Sequence, residues 1–297
     1  MKILVVDHAG SFSLVPDLIK ATRGKHEILT MASAQGVQNR EIFRKVDPDV
    51  VLCEWGDANA AALSHDPFMS RVPLIVRLHG YESHDWFVNR IEWNNVNALV
   101  TVSPYFQKLM IAKMQIRDMK PRVVCIPNGV DLDRFKIIAN HYEPNKVAWV
   151  GYLNMKKGPS LLRCVAESYP HLEIAVVGTF QCENTYRLLM EGPSNLKFHP
   201  WRDDIENFYP ENAWILSTST TESFSYAVAE GMACGLTPMV FAWPGADELW
   251  PTECVWQSME DLGKIRLKDP VECRKWIEDR YSKEQQISSF VKLIESL

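Results

Sequence analysis

Short runs of β-branched and aliphatic residues punctuate the chain, each leading into Gly, Ser or Asn and then into helical periodicity. In the first half the pattern predicts strands over Lys2–Asp7, Glu27–Met31, Asp49–Glu54, Leu74–His79, Ala98–Val102 and Arg122–Ile126. In the second half it predicts them over Lys146–Gly151, Glu173–Gly178, Leu196–His199, Trp214–Ser217, Thr237–Ala242 and Cys254–Gln257. Val50-Val51-Leu52-Cys53 and Ile174-Ala175-Val176-Val177 are apolar at every position. Strands without alternation are buried on both faces, as in parallel sheets covered by helices. The intervening helical stretches have about the length that a right-handed crossover needs.

Two such α/β runs flank the polar stretch Pro127–Pro144, which carries Asn128 and Gly129 and reads as a connection between domains. The expected fold is α/β: two Rossmann-like, doubly wound domains whose parallel sheets face each other across a cleft. Their expected extents are 1–135 and 136–280, followed by a C-terminal helix over 281–297 that could pack back toward the first domain. In the tail, Trp276, Ile277 and Tyr281, then Ile287, Phe290, Val291 and Ile294, keep helical spacing. Ser282 sits between the two sets as a candidate cap, with Gln285 three residues on.

Composition narrows the partners. A chain of 297 residues suits two domains, and 46% hydrophobic residues suffice for two cores. Thirty-two Lys+Arg against thirty-seven Asp+Glu give a net charge of -5, which demotes non-specific nucleic-acid binding but leaves room for a local basic groove. No apolar run approaches the ~20 residues of a membrane span. Asp7 interrupts the first run and Gly10 follows it, so no signal peptide is expected. The seven cysteines are scattered and form no CxxC pair, which predicts a reduced, cytoplasmic chain with buried thiols and no zinc site.

Open parallel sheets bind ligands beyond the carboxyl ends of their strands. Four segments lie there: Asp7-His8-Ala9-Gly10-Ser11, His79-Gly80-Tyr81-Glu82, Gly151–Gly158, and Thr220–Gly235. In the last, Ser225 is a candidate N-cap for a helix running to Cys234, closed by Gly235. Glu222 then precedes the helix, and Glu230 lies inside it on an otherwise apolar or small stretch. A carboxylate there needs a donor. A ribose diol supplies two hydroxyls, although a neighbouring backbone group or a lysine would also serve. The helix start offers unpaired N–H groups to a phosphate. Lys157 stands just before Gly158 and Pro159, where a second helix begins; a diphosphate would suit it, and a solvated Lys156-Lys157 pair is the plainer alternative.

These segments together resemble the family 4 retaining glycosyltransferases of GT-B architecture. That family carries a Glu, seven residues and a second Glu, the spacing of Glu222 and Glu230. Glu230-Gly231-Met232-Ala233-Cys234-Gly235-Leu236-Thr237-Pro238 and Pro244-Gly245-Ala246-Asp247-Glu248 match as well. Val150-Gly151-Tyr152-Leu153 with Lys157-Gly158 resembles the diphosphate loop of the family. Ile126-Pro127-Asn128-Gly129-Val130-Asp131 with Phe135 resembles its inter-domain segment, and Leu78-His79-Gly80 and Val102-Ser103 match its first half.

The resemblance implies an acceptor-side first domain and a nucleotide-sugar-binding second domain. It implies that Glu230 holds the ribose, Glu222 sits by the transferred sugar and Lys157 neutralises the diphosphate. His79 would touch the donor sugar from the other domain, and His79, Glu222 and Lys157 are the catalytic candidates. Backbone around Trp201-Arg202 could hold the base, Ser223-Phe224-Ser225-Tyr226 would line the donor, and Gly10 would let the first loop approach it. The implied reaction retains anomeric configuration and uses neither a cofactor nor a metal. The donor would be a nucleotide sugar. The acceptor stays open among a glycan, a lipid-linked molecule, a small molecule and a modified nucleic acid.

The chain departs from the family at three points. Tyr152 stands where the family usually has Arg, Ser223 and Ser225 flank Phe224 where it has glycines, and the first half is short. The alternative is therefore a non-catalytic nucleotide-sugar-binding relative or a partner subunit. A nicotinamide enzyme ranks last, because no GxGxxG follows any strand. His79 and His84 lack a metal-binding helix motif. Lys108 and Lys113, on the helix from Pro104 with Phe106, Leu109, Met110 and Met114, could rest on anionic lipid, but a solvated basic face is favoured. Trp55, Tyr81, Trp86, Phe87 and Trp93 are core candidates before they are stacking surfaces.

Overall fold

The computed structural model describes residues 1–7, 14–32, 45–80, 82, 86–116, 119, 121–138 and 143–297. Gly10, Tyr81 and His84 lie outside the described residues, as do the side chains of Trp86 and Phe87. The chain forms two compact units, Met1–Pro127 with Glu284–Leu297, and Asn128–Lys283.

The first unit holds β1 (Lys2–Asp7), β2 (Glu27–Ala32), β3 (Val50–Cys53), β4 (Leu74–Leu78), β5 (Ala98–Thr101) and β6 (Arg122–Cys125). They form a sheet in the order β2-β1-β3-β4-β5-β6, and each neighbouring pair is parallel. Period-two alternation sorts its apolar residues onto two faces. Leu4, Val6, Val51, Leu74 and Val76 share one core with Met110 and Met114 of the helix Pro104–Ile116. Ile3, Val5, Val50, Leu52 and Ile75 share the other with Leu18 and with Ile287, Phe290, Leu293 and Ile294 of the helix Lys283–Glu295. Met110 and Met114 of the Pro104 helix are thus packed within their own unit.

The second unit holds β7 (Lys146–Val150), β8 (Glu173–Val177), β9 (Leu196–His199), β10 (Trp214–Ser217), β11 (Thr237–Phe241) and β12 (Val255–Trp256). Their order is β12-β11-β10-β7-β8-β9, again parallel throughout. All twelve expected strands are present, each within one residue of its expected ends. One face packs Val147, Trp149, Ile174 and Val176 on Leu162, Val165 and Ala166 of the helix Pro159–Ser168. The other packs Ala148, Ile215 and Val240 on Val228, Ala229 and Met232 of the helix Tyr226–Ala233.

The polar stretch after Pro127 is not an exposed linker throughout. Val130 and Phe135 are buried in the core of the second unit. Val130 N–H donates to the Tyr281 carbonyl at 2.8 Å and Lys283 N–H to the Val130 carbonyl at 3.0 Å, so the entering and leaving segments pair side by side. A Cβ on Gly129 would lie 2.6 Å from the Lys283 Cα, which requires glycine there. Cys53, Cys234, Cys254 and Cys273 are buried thiols, but Cys164 and Cys182 are exposed. Among the described residues, no helix is long and apolar enough to cross a membrane.

Candidate functional site

Lys157 and Glu222 come together on the loops after β7 and β10, whereas Tyr152 pairs with Trp201 after β9 and Glu230 pairs with Tyr209. Gly158 adopts φ +63°, and a Cβ there would stand 2.0 Å from the Thr218 carbonyl oxygen. Only glycine meets both demands, and it brings the two loops into contact. Thr218 Oγ1 donates to the Lys157 carbonyl at 2.7 Å and accepts from Trp149 Nε1 at 3.0 Å. Thr220 N–H donates to the Lys156 carbonyl at 2.9 Å. The Asn154 side chain caps the turn from below by accepting from Lys157 N–H at 3.2 Å.

So fixed, the loop aims both lysines at Glu222. Lys157 Nζ lies 2.5 Å from Oε1, and Lys156 Nζ lies 3.2 Å from Oε2. Ser219 Oγ donates to Oε1 at 3.0 Å. Burial pushes the Glu222 carboxyl up, but Lys157 and then Lys156 outweigh it, and the net direction is down. The carboxylate is therefore ionised at neutral pH between two cations. Lys156, half exposed, belongs to this cluster rather than to a solvated pair.

Phe224 turns away from the loop into the core, edge-on to Tyr281 at 5.2 Å and tilted against Trp250 at 5.6 Å. Its side chain is 1% exposed, so only its backbone is left to meet a donor. Ser223 and Tyr226 are half-buried. Ser225 occupies the N-cap position of the helix Tyr226–Ala233, yet its side chain makes no cap hydrogen bond. Capping by a side chain needs extended backbone, whereas Ser225 sits at φ 87°, ψ 87°. A left-handed conformation in a non-glycine residue costs roughly 1–3 kcal/mol. Ser225→Gly should therefore raise the unfolding free energy by about 1 kcal/mol, once the greater entropy of an unfolded glycine is subtracted. Urea titration checks this, and a lowered midpoint would remove the strain from the account.

Glu230, one turn into that helix, accepts a hydrogen bond on Oε2 from Tyr209 Oη at 3.0 Å. Tyr209 is fully buried, and its hydroxyl is held far above its ordinary value by burial and then by Glu230. Burial pushes the Glu230 carboxyl up to about 7, against the Tyr209 bond and the Arg134 charge. Arg134 itself is paired with Glu206 at 2.7 Å. Glu230 Oε1 thus lies on a carboxyl group that no cation contacts directly among the described residues.

Tyr152 does not stand in for a cation. Its ring stacks on Trp201 at 5.4 Å and 16°, and both rings are about half exposed. Trp201 Nε1 donates to Asp203 Oδ1 at 3.1 Å. Arg202 forks onto Asp204 at 3.0 and 2.9 Å, which holds the Asp204 carboxyl down at about 2. Tyr152 follows β7 and Trp201 follows β9, so their stack links strand ends on either side of β8.

In the first unit His79 follows β4, stacked on Trp55 at 4.2 Å. Trp55 Nε1 donates to Asp7 Oδ1 at 3.1 Å. Arg77 and Glu54 form a fully buried ion pair, with Glu54 Oε1 3.6 Å from His79 Nε2. Burial and then Arg77 lower the affinity of His79 for a proton, so the ring is neutral at pH 7. Glu82 is buried beside it and accepts from the N–H groups of Gly56 and His79, both at 2.5 Å. Burial raises its carboxyl to about 8, against those two bonds.

A family model described as Glycosyltransferase Family 4 matches residues 9–134. A second, described as Glycosyl transferases group 1, matches residues 144–255. The two stretches together take in most of the chain, the first ending seven residues past Pro127 and the second lying wholly within the second unit. The chain belongs to the group 1 / family 4 glycosyltransferase-like proteins.

The fold of this glycosyltransferase-like chain matches GT-B enzymes over its full length. Anabaena HepE, solved in complex with UDP-glucose, is 19% identical, with 100% of both chains covered and a TM-score of 0.75. Sucrose-phosphate synthase from Thermosynechococcus elongatus is 13% identical, over 100% of this chain and 98% of that one, at 0.75. A glycosyltransferase from Rickettsia africae is 15% identical, over 99% and 98%, also at 0.75. At these identities the likeness is one of fold. A search of the curated proteins returns no match.

Sequence reasoning brought Glu222, Lys157, Glu230 and His79 forward but missed Tyr209 beside Glu230, and Glu54 and Glu82 beside His79. Tyr209 precedes Glu230 by twenty-one positions and carries no local signal. Glu82 was legible only as the last residue of the segment after β4.

Proposed function

We propose that the chain transfers a sugar from a nucleotide-diphosphate sugar to an acceptor hydroxyl with retention of anomeric configuration. The observation that carries this reading is the convergence of Lys156 and Lys157 on the buried Glu222, three residues before the N-cap Ser225. A site that already holds a carboxylate between two cations has the charge and geometry to hold an anionic leaving group beside it. HepE has been solved with UDP-glucose, which makes a uridine diphosphate sugar the first donor to test.

In the proposed roles Glu230 accepts from the ribose hydroxyls, Lys157 neutralises the diphosphate and Glu222 sits by the transferred sugar. Backbone at Trp201 and Arg202 meets the base, and His79, a neutral imidazole, meets the donor sugar. The bond from the anomeric carbon to the phosphate oxygen breaks. The acceptor oxygen bonds to that carbon on the same face, and its proton passes to the departing phosphate. No enzymic nucleophile is needed, so Glu222 is not assigned one. The acceptor is a hydroxyl compound, and nothing narrows it further.

A panel of nucleotide sugars in a thermal-shift assay, followed by product analysis with the best of them, tests the reading; binding to the native state raises stability by mass action. An anomeric product of inverted configuration would overturn retention. Because lysine and helix N–H groups are assigned the charge stabilisation, transfer should persist in excess chelator. Loss of rate restored by Mg²⁺ or Mn²⁺ would overturn that assignment.

The second reading, a non-catalytic nucleotide-sugar-binding relative, is favoured by one observation: Tyr152 is engaged with Trp201 and brings no charge to the loop. It predicts nucleotide binding without product from any donor.

A further inference from the structure

Glu82 is a buried acidic side chain that the proposed transfer leaves without a task. It is 3% exposed and both oxygens are occupied. Gly56 N–H donates to Oε1 and His79 N–H to Oε2, each at 2.5 Å. Gly56 lies just beyond β3 and His79 just beyond β4, and these strands are neighbours in the sheet. One side chain therefore clasps two adjacent strand ends at the edge where parallel sheets carry their ligands.

The clasp is not needed to close the turn, because Glu82 N–H already donates to the His79 carbonyl at 3.2 Å. A buried carboxyl group is a costly device for a turn closed by backbone. The other groups around His79 bear on its ring: Trp55 lies against one face, and Glu54 stands off Nε2. Glu82 bears on its backbone. A ring stacked on a tryptophan is placed only as well as the backbone that carries it.

We propose that Glu82 is a positioning residue, holding the His79 backbone, and through it the imidazole, in the geometry that meets the donor sugar. The inference rests on the proposed transfer, since the role given to His79 is what makes its placement matter.

The test is a double-mutant cycle of Glu82→Ala and His79→Ala with the best donor, with Glu82→Gln as the conservative variant. Small misplacements of a positioned group cost up to about 100-fold in rate. Glu82→Ala should lower kcat by ten- to a hundredfold, with UDP affinity by calorimetry unchanged. Glu82→Gln keeps one acceptor oxygen and should fall between the two. On a His79→Ala background, Glu82→Ala should cause no further loss. A full additional loss there, or a wild-type rate in Glu82→Ala, overturns the proposal. Where Glu82→Ala does not fold, the same cycle with Glu82→Gln decides by the same criterion. The His79 ring resonances in wild type and Glu82→Gln provide a readout independent of turnover. They should shift, and unmoved resonances overturn the clasp. Wild-type protein that transfers from no donor while those resonances do shift defeats the functional reading and leaves the clasp standing.

Discussion

Lys157→Ala should reduce transfer by two or more orders of magnitude, the scale on which a positioned charge stabiliser is lost. The geometry sharpens the expectation. Lys157 stands 2.5 Å from Glu222 on a loop held by Gly158 and Thr218, so its ammonium is placed before any donor arrives. In the proposed role, a diphosphate would meet a cation already held in place by Glu222. Removal also leaves Glu222 with Lys156 as its cation, at 3.2 Å, and that lysine is the more exposed. Some loss of stability is therefore expected alongside the kinetic effect, and a melting curve separates the two. Lys157→Arg keeps the charge but spreads it over a planar fork, and should retain more rate than Lys157→Ala. The double variant Lys156→Ala, Lys157→Ala should fall below either single one. If wild type turns over a donor and Lys157→Ala keeps that rate, the Gly151–Gly158 loop is not the diphosphate site.

The strands were legible because parallel sheets buried on both faces leave continuous apolar runs, and many of the runs here end at a Gly, Ser or charged residue. The fate of Val130 and Phe135 was not. Asn128 and Gly129 announce a turn, but the burial of the residues after it depends on pairing with Tyr281–Lys283, at the far end of the chain. A local pattern contains no record of a partner so distant.

The candidate site divides in the same way. Glu222, Glu230 and Lys157 stood out because charge among small and apolar residues at strand ends is rarely placed for solubility. Their surroundings were hidden. Ser225 looks like a cap because serine favours caps, yet the turn forces positive φ and the hydroxyl loses that role. Phe224 lies among polar neighbours in sequence, and its ring is claimed by Trp250 and Tyr281. Tyr152 in place of a cation reads as a deficit until Trp201 is seen stacked on it. In each case a long-range contact overrides a sound local rule.

Nucleotide binding should strengthen as pH rises through about 7, and Glu230→Ala should abolish that dependence along with most of the affinity. Burial raises the Glu230 carboxyl to about 7. Ribose hydroxyls donate, so they favour the carboxylate and lower its affinity for a proton when bound. Below pH 7 the free site must first release that proton, and apparent affinity should fall by up to about tenfold per pH unit. Above pH 7 it should level off. Stability runs the other way. The folded carboxyl holds its proton to a higher pH than the unfolded one, whose ordinary value is about 4.3. Folded protein therefore binds more protons between these values, and stability falls as pH rises through that window. Glu230→Ala should remove roughly 1.5–3 kcal/mol of binding, as expected for hydrogen bonds to a charged acceptor. It also strands the Tyr209 hydroxyl in the core, a further stability cost of about 1–3 kcal/mol. Glu230→Gln, which still accepts from Tyr209, should keep the fold while losing the pH dependence. Calorimetry with a nucleoside diphosphate between pH 6 and pH 8 decides the matter. Affinity independent of pH in wild type, or unchanged in a folded Glu230→Gln, would take Glu230 out of the nucleotide site.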